Sequence, residues 1–288
     1  MEIKVPNRFI HAGDLDARSA SQDPRRASFT EHTLDIDLRE CDFVQPAALL
    51  WCVIYPLLAA QRGATCRLLV PENYGVALYL KSAGLFGQLQ QASVEVDDRG
   101  ITTRADPQLI LPLTRFNRES DVESLANQAL DRLRETGVGA ANLYPVVGDV
   151  FAELALNAVQ HSHSSIDAFG FIQFYESEAR QRFICVVADG GVGIRRSLER
   201  NAALRPRIPY DWDAIELALE EGVSGTGSNR RGIGLFGVAE EMSKPGRQLI
   251  IHSGIGLLQQ TGGTNQPLNA ARTLVTFPGT LIFASILT

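Results

Sequence analysis

The chain has 288 residues, 45% hydrophobic and 21% charged, with 27 Lys and Arg against 33 Asp and Glu for a net charge of −6. That length fits one large or two modest domains, and the composition excludes a wholly disordered chain. The acidity argues against an extended nucleic-acid or anionic-membrane surface, both of which need clustered positive charge. Cys41, Cys52, Cys66 and Cys185 form no Cys-x-x-Cys pair and no zinc-like spacing with histidine. They read as buried, reduced thiols of a cytoplasmic protein. The first residues, MEIKVPNRFIHAGDLDARS, contain no apolar core of signal-peptide length.

Residues 1–28 are polar and predict a mobile arm or an edge strand. Leu34-Asp35-Ile36-Asp37-Leu38 alternates with period two and predicts a strand. From Phe43 to Ala60 nearly every residue is apolar. As a helix this stretch would be about 27 Å long, close to a bilayer core. Gln45 and Pro46 at its start, Pro56 inside it and the lack of basic flanks favour a buried globular helix over a membrane span. Pro46 suits the first helical turn and Gly63 the stop. Cys66–Val70 predicts a second strand, Asn73 to Ala83 a helix closed by Gly84, and Val94–Val96 a third strand. Strand and helix alternate here, so residues 29–104 predict a small α/β domain with a helix-covered sheet.

Pro107 to Pro112 marks a change of composition, and residues 105–288 predict a second domain. Helices are expected from about Ser120 to Thr136, from about Val146 to His161 and from Ile233 to about Met242. Asp211 is expected to cap a short helix ending before Gly222. Strands are expected at Phe169–Tyr175, Phe183–Ala188, Leu249–Ser253, Thr273–Phe277 and Leu281–Ile286. The fold class is therefore α+β, with the second half a two-layer sandwich: one mixed sheet with helices on one face.

Three segments of this half carry chemistry. Glu153, Asn157 and His161 are spaced i, i+4, i+8 and fan over about 80° of one helix face. The carboxylate can act as a general base, and the carboxamide oxygen can hold a hard cation such as Mg²⁺. A solvated polar face has the same pattern. Next, Asp189 ends an apolar strand and is followed by Gly190, Gly191 and Gly193. A buried Asp there can accept from an exocyclic amine, which distinguishes adenine from guanine, and the glycines permit close backbone approach. Last, Gly225-Thr226-Gly227-Ser228-Asn229-Arg230-Arg231-Gly232-Ile233-Gly234-Leu235 feeds a helix N-terminus, an arrangement that favours phosphate. It lacks the Gly-Lys-Ser/Thr of a P-loop and follows no strand as a dinucleotide fingerprint would. Alone, it also reads as a flexible linker. His161-Ser162-His163 has no third ligand nearby to make a zinc site.

In this order the three segments resemble the N box and the two glycine boxes of the GHKL, or Bergerat-fold, ATP-binding superfamily. The N box corresponds to Glu153-x-x-x-Asn157, and Asp-x-Gly-x-Gly to Asp189, Gly191 and Gly193. Gly-x-Gly-Leu corresponds to Gly232, Gly234 and Leu235, and the family's final Gly-Thr strand to Gly279-Thr280. The resemblance implies that Asp189 reads the adenine amine, that Asn157 binds Mg²⁺ and that Glu153 is the catalytic base. It implies further that Gly232 and Gly234 present amides to phosphate, and that Thr226, Ser228, Arg230 and Arg231 lie in or beside a mobile lid over ATP. Residues 29–104 are similar to a STAS domain, the fold of anti-sigma-factor antagonists. Where such antagonists carry a phosphorylatable serine, this chain reads Gln45-Pro46-Ala47-Ala48, so the domain is expected to be an interaction module rather than a phosphoacceptor.

The expected function is that of a regulatory Mg·ATP-binding protein, either an ATPase or a protein serine/threonine kinase of the anti-sigma-factor type. The alternative is a non-catalytic module in which ATP orders a lid from about Arg195 to Arg231 and a protein partner is held. Neither His11 nor His32 lies in the coiled coil that a histidine kinase requires. A signalling partner is expected, nucleic acid and membrane are not, and a homodimer is left open.

Overall fold

The computed structural model describes residues 1–15, 23–24, 33–177, 180–223, 234–264 and 268–288. Its N-terminal part is a four-stranded parallel sheet of β1 (Glu2–Lys4), β3 (Thr33–Asp37), β5 (Thr65–Leu69) and β6 (Glu95–Val96), in that order. The short strands β2 (Arg8–Phe9) and β4 (Phe43–Val44) pair beside it. Of the N-terminal stretch read as arm or edge strand, residues 2–4 form the edge strand, while residues 16–22 and 25–28 lie outside the described part. The period-two pattern acts as expected. Leu34 and Ile36 enter the core, while Asp35 pairs with Arg67 through two 2.7 Å hydrogen bonds.

Helix α1 (Pro46–Gln61) opens with Pro46 in its first turn and continues through Pro56. Gly63, at φ +92°, follows it. Asn73 caps α2 (Tyr74–Ser82) by accepting from Gly75 N at 3.0 Å. After Gly84 (φ +94°) a further helix forms, α3 (Leu85–Gln91), which the sequence reading closed off at that glycine. Its Leu85, Phe86 and Leu89 are buried.

The chain passes to a second sheet between Val96 and Leu109. Five strands pair in the order β10 (Arg247–Thr261), β11 (Ala270–Leu287), β9 (Arg180–Asp189), β8 (Ala168–Ser177), β7 (Leu109–Phe116). Every neighbouring pair is antiparallel, so the mixed sheet expected from the sequence is corrected to an antiparallel one. The two strands expected at 273–277 and 281–286 are one, β11. Pro278 and Gly279 are accommodated where the register with β10 jumps from Ser253↔Thr280 to Gly254↔Phe277. Pro112 sits on edge strand β7 at another register shift, where a missing N–H costs little. That edge is capped by the N-terminal part: Leu113 N donates to Ala83 O at 2.8 Å, and Gln88 Nε2 to Leu113 O at 3.1 Å.

One face of this sheet carries α4 (Glu119–Thr136), α5 (Tyr144–His161), α6 (Gly193–Leu198), α7 (Asp211–Ala218) and α8 (Gly234–Met242). The other face is covered too. Helix α1 packs on β9 and β11, and a single buried cluster joins Leu34 and Ile36 to Phe169, Phe171, Val186, Phe277 and Phe283. A sheet with helices on one face only is thus corrected to a sheet buried on both. Strand β9 displays the parity: Ile184, Val186 and Ala188 belong to the α1 side, Phe183, Cys185 and Val187 to the other. Helix α1 lies between two sheets, which is why 13 of its 16 residues are buried. No helix among the described residues is long and apolar enough to cross a membrane.

Candidate functional site

Strand parity assembles the site. Asp189 is two residues beyond Val187, so it falls on the side of α4–α8. Thr280 stands opposite Asp189 in the β9–β11 register and shares the parity of Ile282. All four residues line one cavity under α6, together with Asn157, His161 and Ser162 of the α5 end. The remaining wall is largely apolar and includes Leu154, Ile194, Leu198, Val223 and Leu235. Such a pocket, apolar with a few convergent polar groups, is the general form of a small-molecule site.

The polar end is built by a tight turn. Asp189 is only 4% exposed, and its Oδ1 accepts from Gly191 N at 2.8 Å. Gly191 is pressed against the end of α5, where a Cβ would lie 2.0 Å from Ser162 O. The same carbonyl accepts from Val192 N at 2.7 Å. Gly279, at φ +119°, approaches Asp189 equally closely, with a Cβ 2.0 Å from Asp189 O. These two glycines are there because nothing larger fits. Ser253 joins the pieces: its Oγ accepts from Ile194 N at 2.9 Å and donates to Gly279 O at 3.0 Å. Neither Ser253 nor Ser197, which also lines the cavity, was singled out in the sequence, because a lone serine beside apolar residues carries no motif.

On α5 the three polar residues separate. Asn157 and His161 line the cavity, and Asn157 Nδ2 donates to Glu153 O at 2.8 Å, so this bond uses the amide nitrogen and not the carboxamide oxygen. Glu153 is exposed and lines the neighbouring cleft with Asp149, Gly234 and Glu241. It comes so close to α8 that a Cβ on Gly234 would lie 2.4 Å from its Oε2. The physical reason is rotational: each i+4 step turns the side-chain direction by about 40°, enough to carry Glu153 over the rim.

Asn157, Asp189, Gly193, Leu235 and Thr280 are therefore brought to one cavity. Gly191 shapes its polar end, and Glu153 and Gly234 stand in the next cleft. Thr226, Ser228, Arg230, Arg231 and Gly232 lie outside the described residues. The described part of the stretch read as a lid, 195–223, is not one continuous loop. It holds α7 and most of α6, and buries Leu198, Ile208, Ala214 and Leu217 against one another. Asp211 does not cap α7. Asp213 accepts from Tyr210 N at 3.0 Å, and Asp211 instead accepts from Ile255 N on β10 at 2.9 Å.

Elsewhere on the sheet, His252 is 2% exposed and its Nε2 donates to Val275 O at 3.1 Å, since a carbonyl only accepts. Burial lowers its pKa to about 4. The four cysteines are buried and unpaired by disulfides. Comparison with protein-family models, curated proteins and solved structures gives no match to this chain.

Proposed function

We propose that the chain is a regulatory Mg·ATP-binding protein, with a Bergerat-type (GHKL) site in residues 105–288 and a STAS-like module in residues 29–104. One observation carries the reading: residues singled out in four separate segments, Asn157, Asp189 with Gly193, Leu235 and Thr280, line one cavity. The donor set fits an adenine nucleotide. The buried Asp189 carboxylate accepts from the exocyclic amine, where guanine would bring a carbonyl oxygen against it. Ile194, Leu198 and Ile282 supply apolar surface for a base. Asn157 would hold Mg²⁺ through its carboxamide oxygen, and the ion would neutralise phosphate charge. Gly234, opening the nine-residue helix α8, stands where backbone amides favour phosphate.

Glu153 is then the general base of an ATPase or of a protein serine/threonine kinase. A second reading has its own support. Glu153 and Gly234 together line a cleft separate from the Asp189 cavity, so the groups meant to act on phosphate do not share a cavity with the base-recognising end, which favours a module that binds ATP without turnover and uses it to hold a protein partner. Calorimetric titration of Mg·ATP into the protein, with ADP assayed in the same samples, tests both. Binding with ADP formation is expected of the ATPase, binding with ADP formation only when a protein acceptor is added is expected of the kinase, and binding without ADP in either case is expected of the switch. Absence of binding overturns both.

A further inference from the structure

We propose that Gln61, at the end of α1 and outside the cavity, is a positioning residue for the Asp189–Gly193 turn. The inference rests on the reading of this turn as the base-recognising end of an ATP site.

Gln61 holds the loop 162–167 from the far side of the sheet. Its Nε2 donates to Ser165 O at 2.7 Å, and Ser165 Oγ donates back to Gln61 Oε1 at 2.5 Å. One helical turn earlier, Leu58 packs beside Gly190, where a Cβ would lie 3.1 Å from Leu58 Cδ1 and 2.8 Å from Ile166 Cδ1. The other end of the same loop grips the turn. Ser162 O accepts from Val192 N at 2.7 Å, and Gly191 fits against that carbonyl only because it has no side chain. Gly191 N in turn donates to Asp189 Oδ1.

His163 sits at φ +45°, a left-handed conformation uncommon for a residue with a side chain. Within the loop, Ser162 Oγ accepts from Ser164 N at 3.3 Å and Ser164 Oγ from Ile166 N at 3.2 Å, and Asn117 Nδ2 donates to Asp167 Oδ1 at 2.8 Å. The Gln61–Ser165 pair adds two hydrogen bonds from α1. Gln61 thus acts on the site through Ser165, Ser162 and Gly191. By linkage, whatever moves α1 alters nucleotide affinity, and nucleotide alters the response of the N-terminal part in the same measure.

The test uses the full chain with Gln61→Ala, Ser165→Ala, the double variant and Gln61→Glu. The Kd for Mg·ATP is measured well below the melting temperature of every variant. Each alanine variant is expected to weaken binding about three- to tenfold, the range of a lost hydrogen-bonded pair. The double variant is expected to match Gln61→Ala, because Gln61→Ala already removes both bonds of the pair and Ser165→Ala removes only the one from Oγ. Gln61→Glu, which sets a carboxylate oxygen against Ser165 O in place of the donor, is expected to bind no more tightly than Gln61→Ala. If Gln61→Ala fails to fold, Ser165→Ala, in an exposed loop, carries the same comparison. Wild-type binding with wild-type Kd in the alanine variants overturns the positioning role and leaves the site reading intact, as does strict additivity. Failure of wild type to bind Mg·ATP overturns both, and the wild-type titration distinguishes the two failures.

Discussion

Replacing Asp189 by Asn tests base recognition with little change of shape. The carboxylate is 4% exposed, and one oxygen already accepts from Gly191 N at 2.8 Å. An Asn carbonyl can keep that bond, so the turn is retained, and a neutral amide is less costly to bury than a carboxylate. What changes is the second oxygen, which becomes a donor. Toward adenine, whose edge offers an amine, donor then meets donor. Toward guanine, whose corresponding group is a carbonyl, donor meets acceptor. Losing a hydrogen bond to a charged group costs about 1.5–3 kcal/mol, or roughly 10- to 150-fold in Kd. Asp189→Asn is therefore expected to bind ATP at least about tenfold more weakly, to narrow or reverse the preference over GTP, and to melt close to wild type. Calorimetric competition between ATP and GTP on both proteins is the assay. An Asn variant that binds ATP within about twofold of wild type, with no gain for GTP, would refute the assignment of Asp189 to the base.

Glu153→Ala is expected to abolish ADP formation while leaving the Kd for Mg·ATP within about threefold; residual turnover at the wild-type rate would remove Glu153 from the chemistry. Gly191→Ala places a Cβ 2.0 Å from Ser162 O, so the turn and the α5 end must part, at about 1–3 kcal/mol. Urea unfolding should register that loss and titration a weaker ATP affinity; unchanged stability contradicts the packing described. His252 makes stability depend on acid. Its native pKa is lowered from 6.5 to about 4 by burial, so between those values the unfolded chain binds more protons. Stability is full above about pH 6.5 and falls as pH drops toward about 4, by about 3 kcal/mol at most. Unfolding curves across that window should show the slope in wild type and not in His252→Gln; equal slopes assign it to other groups.

Much of the architecture was legible. Pro46 and Gly63 bracket α1 within a residue or two, and Asp189 and Thr280 were found through motifs before geometry joined them. The misses have identifiable causes. Pro278-Gly279 reads as a break, yet a bulge lets β11 run through it. Gly84 reads as a terminus, yet its left-handed backbone also starts α3. Asp211 precedes a helix and resembles a cap, but Ile255 N, distant in sequence, competes for it. The covering of the second sheet face has a trace in the sequence. Phe183 to Ala188 is apolar without alternation, the pattern of a strand buried on both sides. The separation of Glu153 from Asn157 is implicit in the step of about 40° between them, but where the cavity rim falls on that face depends on the packing of α8.

That two-sided burial decides whether the proposed ATP site can exist without residues 1–104. Removing them would uncover Phe169, Phe171, Val186, Phe277, Leu281 and Phe283, all buried on the α1 side. At about 1.5–3 kcal/mol per large apolar side chain, the six together contribute on the order of 10 kcal/mol, comparable to the whole stability of a domain. The parity of β9 and β11 adds a second demand. Asp189 and Thr280 face the cavity only in the register that turns Val186 and Phe283 toward α1, and a slip of one residue would exchange the two faces. With α1 present, both faces reject the slip; with α1 gone, one face rejects nothing. Residues 105–288 produced alone are therefore expected to aggregate, or to bind a hydrophobic dye strongly and unfold without cooperativity, where the full chain is cooperative. Size-exclusion chromatography and denaturant unfolding of both proteins decide it. A monomeric fragment that unfolds cooperatively and binds Mg·ATP as tightly as the full chain would show that the N-terminal part is an attachment to the site rather than a support it needs.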